Sequence, residues 1–114
     1  MTPYKRGDVV LVPFPFSDQT TVKKRPAIIV SSNHYNNTSS DIVIMAITSQ
    51  IDKTIGIGEC SVSDWKIAGL LKPSAIKPAI STIEQKLVLK KLGKLSSADL
   101  SSVENALRNF LDLQ

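Results

Sequence analysis

Residues 25–30 read Arg-Pro-Ala-Ile-Ile-Val, a short apolar run that opens with a permanent cation and a proline. Its β-branched residues predict a buried strand. A second apolar run at residues 42–47 predicts another strand, and it ends in Thr48-Ser49-Gln50. One predicted strand therefore begins beside a cation, and the other ends in a cluster of hydroxyl and amide groups.

Further short strands are predicted around these two. Residues 9–12 form an apolar, β-branched run that Pro13 and Pro15 are expected to end. The polar segment 17–24 has no apolar periodicity and is expected to be a connecting loop. The remaining predicted pieces are a hairpin region marked by Gly56 and Gly58, and extended segments at residues 69–72, 81–84 and 87–89.

The C-terminal segment is predicted to be helical. Ser96-Ser97-Ala98-Asp99 has the spacing of a capping box, and apolar residues then recur at helical intervals. Residues 97–112 are expected to form an amphipathic helix packed on a small barrel of short strands. Residues 35–38 predict only a turn or a single helical turn. The predicted fold is mainly β with α, in a single domain that covers residues 1–114.

Composition excludes several classes of protein. Cys60 is the one cysteine in 114 residues, so no internal disulfide is expected, and the thiol is expected to be inert. No apolar stretch approaches the roughly 20 residues of a membrane span, and the polar start does not resemble a signal peptide. The expected location is the cytoplasm.

The net charge of +4 is small, but its distribution is uneven. Residues 1–30 contain five basic and two acidic residues, and residues 65–94 contain seven basic residues and one acidic residue. If these segments meet in space, they form a positive face suited to a polyanion such as RNA. The alternative is that the lysines only solvate the surface.

Three ordered motifs resemble the MazF/PemK family of toxins. They are Gly7 to Asp18 (GDVVLVPFPFSD), Lys24 to Ser31 (KRPAIIVS) and Ala46 to Gln50 (AITSQ), and matches at 69–74, 82–84 and 91–95 continue the series. The resemblance implies a small SH3-like β-barrel of the CcdB/MazF type that dimerises and cleaves single-stranded RNA at short sequences. It also implies no metal or other cofactor, and a cognate antitoxin that holds the enzyme inactive.

The resemblance assigns the catalytic roles to Arg25 and Thr48. The first loop of this chain differs from the glycine-rich loop of many relatives. The RNA sequence that those relatives prefer therefore cannot be transferred to this chain. The remaining candidate RNA-binding residues are Phe16, Asp18, Gln19, Lys23, Lys24, Ser49 and Gln50. Phe16 is a candidate for stacking on a base, whereas Phe14 is expected in the core.

The chemistry supports the same pair of residues. Attack by the RNA 2′-hydroxyl places negative charge on the phosphoryl oxygens, and this charge must be stabilised. A guanidinium does so by donating hydrogen bonds to two of these oxygens at once. A threonine hydroxyl donates a hydrogen bond to the phosphate or orients the 2′-hydroxyl. His34 is the one histidine, which excludes a two-histidine mechanism within one chain, and the acid and base stay unassigned.

Other interpretations remain open at this stage. Arg25 could be a solvated residue at a strand start, and Thr48 could satisfy a backbone group at a strand end. A different function is non-catalytic inhibition of DNA gyrase, as in the CcdB toxins. A third is a decayed homologue that binds antitoxin without cleaving RNA. The scattered carboxylates do not favour a two-metal nuclease.

Overall fold

In the computed structural model of the protein, the described residues are 4–14, 23–51 and 55–114. They form six strands, which are β1 (Asp8–Phe14), β2 (Lys23–Ile29), β3 (Asp41–Thr48), β4 (Cys60–Val62), β5 (Ser74–Glu84) and β6 (Lys90–Lys94). The helices are α1 (Asn33–Thr38) and α2 (Ser97–Leu111), and a short 3-10 turn spans Gln85–Leu87. None of the described helices is long and apolar enough to span a membrane.

The strands form one curled antiparallel sheet in the order β4-β5-β3-β2-β1-β6. Both faces of the sheet are packed, because alternate residues of β1, β2 and β3 belong to two separate apolar clusters. The first cluster includes Val9, Ile28 and Met45, and α2 covers it with Val103. The second includes Val10 and the other alternating set of buried side chains. This architecture confirms the predicted mainly β, SH3-like barrel with a C-terminal helix.

The cap of α2 also matches the sequence prediction. The Ser96 side chain accepts a hydrogen bond from the Asp99 N–H, as in a capping box. The Asp99 carboxylate, however, accepts from the N–H groups of Ser63 and Asp64 at 3.1 and 2.8 Å. The buried acid therefore ties the start of α2 to the turn that follows β4.

Several predicted boundaries were wrong. Pro13 lies inside β1, where its register partner is Lys24 of β2. The pairing of β1 with β6 stops at Leu11, so the missing N–H of the proline lies where β1 has a neighbour on one side only. Lys23 and Lys24 belong to β2 rather than to the preceding loop.

The region after β4 differs most from the prediction. Residues 69–72 form turns and bends instead of a strand, and β5 is one strand of eleven residues. The segment 87–89 is not a strand either, whereas β6, which the sequence reading missed, follows it directly. The shorter helical prediction holds, since residues 35–38 lie within α1.

Candidate functional site

Arg25 and Thr48 lie on neighbouring strands and line the same two grooves. The β2–β3 register ends with the pair Ala27 and Ala46, and Arg25 and Thr48 each lie two residues beyond it, on the same face of their strand as the paired alanine. Paired positions in an antiparallel sheet place their side chains on the same face. Both residues are half-buried. The sheet thus brings the predicted cation and hydroxyl together.

Two grooves meet at this pair. The larger one, here called the lysine groove, has a volume of about 1070 Å³. Its lining consists of Leu11, Lys23, Lys24, Arg25, Pro26, Ile47, Thr48, Ser49, Gly69, Leu70, Leu71, Lys72, Ser74, Lys90, Lys91 and Leu92. Five lysines and an arginine thus surround an apolar surface, a combination suited to a polyanion that also carries planar or apolar groups.

The second groove, here called the small groove, has a volume of about 260 Å³. It is lined by Arg25, Ala46, Ile47, Thr48, Gln50, Lys77 and Ala79. Arg25, Ile47 and Thr48 belong to both grooves. A ligand lying in both would pass over the Arg25–Thr48 pair.

A close backbone contact shapes the wall of the lysine groove. A Cβ atom on Gly69 would lie 2.0 Å from the Leu92 carbonyl oxygen, and one on Gly93 would lie 2.7 Å from the Ala68 backbone. Gly69 also has a φ of +80°, which a residue with a side chain rarely adopts. The two glycines therefore allow the turn before Leu71 and Lys72 to pack directly on β6.

One lysine of the groove is held by a buried acid. Lys91 Nζ lies 3.3 Å from Asp8 Oδ1, and the other oxygen of Asp8 accepts a hydrogen bond from the Lys5 N–H at 2.9 Å. The Asp8 side chain is 4% exposed, whereas that of Lys91 is 47% exposed. The cation thus reaches the groove from an anchored position.

Thr48 keeps a hydroxyl proton that it can donate. Its Oγ1 accepts a hydrogen bond from the Gln50 N–H at 3.1 Å, which fixes the oxygen at the end of β3. A threonine hydroxyl is both acceptor and donor, so this bond leaves its donor function unchanged. The bond also supports the structural role that the sequence alone allowed for Thr48, and the two roles are compatible.

The structure places most of the predicted site residues around the same pair. Lys23, Lys24 and Ser49 line the lysine groove, and Gln50 lines the small groove. Phe16, Asp18, Gln19 and the Phe14 side chain lie outside the described residues.

Sequence reasoning missed the lysines supplied by the second half of the chain. Lys72, Lys90 and Lys91 line the lysine groove, and Lys77 lines the small groove. The one signal for them was the excess of basic residues between positions 65 and 94. That signal was imprecise, since the other lysines of this segment (Lys66, Lys86 and Lys94) are not among the lining residues of either groove.

His34 and Cys60 are not among the residues that line either groove. His34 is exposed on α1. Burial, with a smaller effect from the Asp99 carboxylate, raises the pKa of the Cys60 thiol to about 11, so the thiol is protonated at neutral pH. Within the described ranges, no three His, Cys, Asp or Glu side chains are grouped closely enough to hold a metal ion.

Comparisons with known proteins point to one family. A family model described as "PemK-like, MazF-like toxin of type II toxin-antitoxin system" matches residues 5–111. The fold is similar to that of an endoribonuclease in complex with its cognate antitoxin from a mycobacterial species, with a TM-score of 0.78 and 23% identity over 97% of both chains. No match was found among curated proteins.

Two further solved structures share the fold. A MazE–MazF structure from Deinococcus radiodurans matches with a TM-score of 0.78 and 15% identity over 100% of both chains. The toxin MazF-mt6 from Mycobacterium tuberculosis matches with a TM-score of 0.76 and 18% identity, over 94% of this chain and 98% of that one.

Proposed function

Because the chain belongs to the PemK-like, MazF-like family of type II toxins, we propose that it is a metal-independent endoribonuclease that cleaves single-stranded RNA at specific sequences. The observation that supports this most directly is the position of Arg25 beside Thr48, where the lysine groove meets the small groove. The surrounding lysines attract a phosphate backbone, and the pair lies where a bound strand would cross from one groove to the other.

In the proposed reaction, the RNA 2′-oxygen loses its proton and attacks the adjacent phosphorus. The bond from phosphorus to the 5′-oxygen breaks, and that oxygen takes up a proton. The products are a 2′,3′-cyclic phosphate and a 5′-hydroxyl. Arg25 binds the phosphoryl oxygens as their negative charge grows, and Thr48 donates a hydrogen bond to the same group.

The proposal includes the partners and the setting. An antitoxin with an acidic, flexible segment would occupy the lysine groove, where it would replace the RNA backbone. The toxin would act as a homodimer in the cytoplasm. Leu111 and Leu113, which are 49% and 58% exposed, are apolar surface at the end of α2 that a second copy could cover.

The test is to substitute the pair and measure cleavage of a long natural RNA. Arg25→Ala is expected to abolish cleavage, and Thr48→Ala to lower the rate by about 10²-fold, because each removes a donor to the transition state. Arg108→Ala is the matched control, since this arginine is exposed on α2 and bonds to Asn105. Thermal melting should show that all three variants are folded.

Wild-type cleavage by Arg25→Ala would contradict the assignment. RNA that stays intact with the wild-type protein, together with inhibition of gyrase supercoiling, would replace the proposal with the gyrase-inhibitor function.

The products provide a second test of the same proposal. Cleavage should persist in EDTA and leave 5′-hydroxyl ends, because the nucleophile is the RNA's own hydroxyl and not a metal-bound water. Labelling the ends with polynucleotide kinase, with and without prior phosphatase treatment, measures this directly. Ends that carry a 5′-phosphate would indicate hydrolysis by water instead.

A further inference from the structure

Lys77 lines the small groove beside Arg25 and Thr48 and does not line the lysine groove. It belongs to β5, directly after Ile76, which is the register partner of Ile47 on β3. Its side chain lines the small groove together with Arg25, Thr48 and Gln50. We propose that Lys77, positioned by Glu59, is a phosphate-binding subsite for the part of the RNA strand that leaves the lysine groove. This inference rests on the proposed function.

The ammonium group is held in a fixed position. Lys77 Nζ donates to Glu59 Oε2 at 2.8 Å, and the Gly56 N–H donates to Glu59 Oε1 at 3.0 Å. The lysine and glutamate side chains are 29% and 20% exposed. The hydrogen bond from Lys77, with the one from Gly56, lowers the pKa of Glu59, so the carboxylate remains charged at neutral pH.

Holding the lysine in place favours binding. A free lysine side chain loses rotamer entropy when it is ordered on a ligand, and a lysine already fixed by a partner loses less. An ammonium also has three N–H donors, so a bond to Glu59 does not by itself prevent one to phosphate. The neighbouring Arg25 and Thr48 limit where a phosphate can lie, because the small groove is only about 260 Å³.

A purely structural role explains the pair less well. Partly buried ion pairs contribute little net stability compared with apolar side chains of similar size. The position is next to Ala79 and Ile47, where an apolar residue would pack without the desolvation cost of a charge. A cation kept at the end of a groove that already contains an arginine is explained by an anionic ligand.

The experiment compares Lys77→Met with Lys86→Met. Lys86 forms a comparable pair with Glu84 at 3.5 Å, but its side chain is 76% exposed and lines neither groove. Each substitution removes one positive charge and the ion pair with the neighbouring glutamate. Binding is measured with single-stranded RNA that carries 2′-fluoro at every residue and therefore lacks the attacking hydroxyl, over a series of salt concentrations.

Lys77→Met should weaken binding about tenfold at low salt. The slope of log K against log salt concentration should become shallower by about 0.7, the value for one phosphate contact on a single strand. Lys86→Met should match the wild type in both quantities. An unchanged slope for folded Lys77→Met would overturn the proposal, whereas a wild-type protein that binds no RNA would overturn the proposed function as well.

Glu59→Gln separates the ligand-binding role from the structural one. It removes the carboxylate but keeps the ammonium, so the melting temperature should fall as it does for Lys77→Met while the salt slope stays that of the wild type. Should Lys77→Met fail to fold, acylation of lysines in the wild-type protein replaces it. Bound 2′-fluoro RNA should protect Lys77 and not Lys86, and equal acylation of Lys77 with and without RNA would overturn the proposal.

Discussion

Among single residues, Arg25 and Thr48 differ from most of the lysines around them in how far their side chains are buried. Both are half-buried on neighbouring strands, whereas Lys24, Lys72 and Lys90 are exposed. Groups on rigid strands keep the precise geometry that transition-state stabilisation requires. In the proposed function, the exposed lysines contribute charge that attracts the RNA backbone. The proposed division of labour between catalysis and binding follows from this difference.

Cys60 shows how its surroundings, chiefly burial, change the reactivity of one residue. Because burial raises the pKa of its thiol from 9.0 to about 11, the thiolate fraction at pH 8 is up to about a hundredfold smaller than for a free cysteine. Alkylation by iodoacetamide should therefore be roughly tenfold to a hundredfold slower in the folded protein than in urea. Mass spectrometry of the labelled fraction over time measures both rates, and equal rates would contradict the raised pKa.

The same pKa predicts a pH dependence of stability. In the folded protein the Cys60 thiol keeps its proton up to about pH 11, whereas in the unfolded chain it loses the proton near pH 9.0. The free energy of unfolding should therefore include this contribution in full below pH 9 and lose it as the pH rises towards 11. Cys60→Ser lacks the titrating group and should show a smaller decrease over that interval.

At the level of elements, the buried central strands were predictable from sequence and the edge strand β6 was not. The apolar runs at residues 9–12, 27–30 and 42–47 are central strands whose burial requires apolar side chains. By contrast, β6 reads Lys-Lys-Leu-Gly-Lys, a lysine-rich sequence of the kind that protects an exposed edge from further pairing. No local pattern distinguishes such a segment from a loop.

The candidate site follows the same division. Arg25 and Thr48 are predicted from local motifs at the ends of two apolar strands. The proposed contribution of Lys77 depends on which strands are neighbours, because β5 and β2 meet only through β3 in the sheet order. The closeness of Lys77 to Arg25 results from the order of strands in the sheet. No local sequence pattern around either residue indicates that order.

The contact between the turn before Leu71 and β6 leads to a prediction at this scale. Gly69→Ala places a Cβ within 2.0 Å of the Leu92 carbonyl oxygen at a φ of +80°, so the turn must move. We expect the free energy of unfolding to fall by about 2 kcal/mol or more, from backbone strain and from the clash. Gly56→Ala is the control, since its Cβ would lie at an ordinary contact distance of 3.5 Å from the Glu59 side chain, its nearest neighbour apart from the flanking residues.

Urea denaturation of both variants measures the difference. A loss below about 0.5 kcal/mol for Gly69→Ala would show that the turn is not fixed by this contact. RNA binding by the same variant then reports whether the wall of the lysine groove must be closed for the strand to bind.

On the scale of the whole molecule, the described residues concentrate positive charge along the two grooves. Residues from both halves of the chain contribute, since Lys23 and Lys24 come from β2 while Lys72 and Lys90 come from the second half. The predicted positive face thus exists, but it includes only some of the basic residues between positions 65 and 94. The buried Asp8 carboxylate contributes to this surface by forming an ion pair that positions Lys91.

A surface with this charge binds RNA and an acidic polypeptide by the same means, so the two are expected to compete. An acidic, flexible antitoxin segment that orders on binding recovers the entropy cost over a large contact area, and its carboxylates replace the RNA phosphates beside the lysines. We therefore expect saturating antitoxin peptide to displace 2′-fluoro RNA, and expect both affinities to fall as salt is raised. Fluorescence anisotropy of labelled RNA measures the displacement.

The double variant Lys72→Met with Lys90→Met should weaken the binding of both RNA and antitoxin peptide by about tenfold or more. The double variant Lys86→Met with Lys94→Met removes the same charge outside the grooves and should affect both ligands much less. RNA affinity that is unchanged by saturating peptide would mean that the antitoxin acts from a separate surface, because two ligands that share one cationic groove cannot both occupy it.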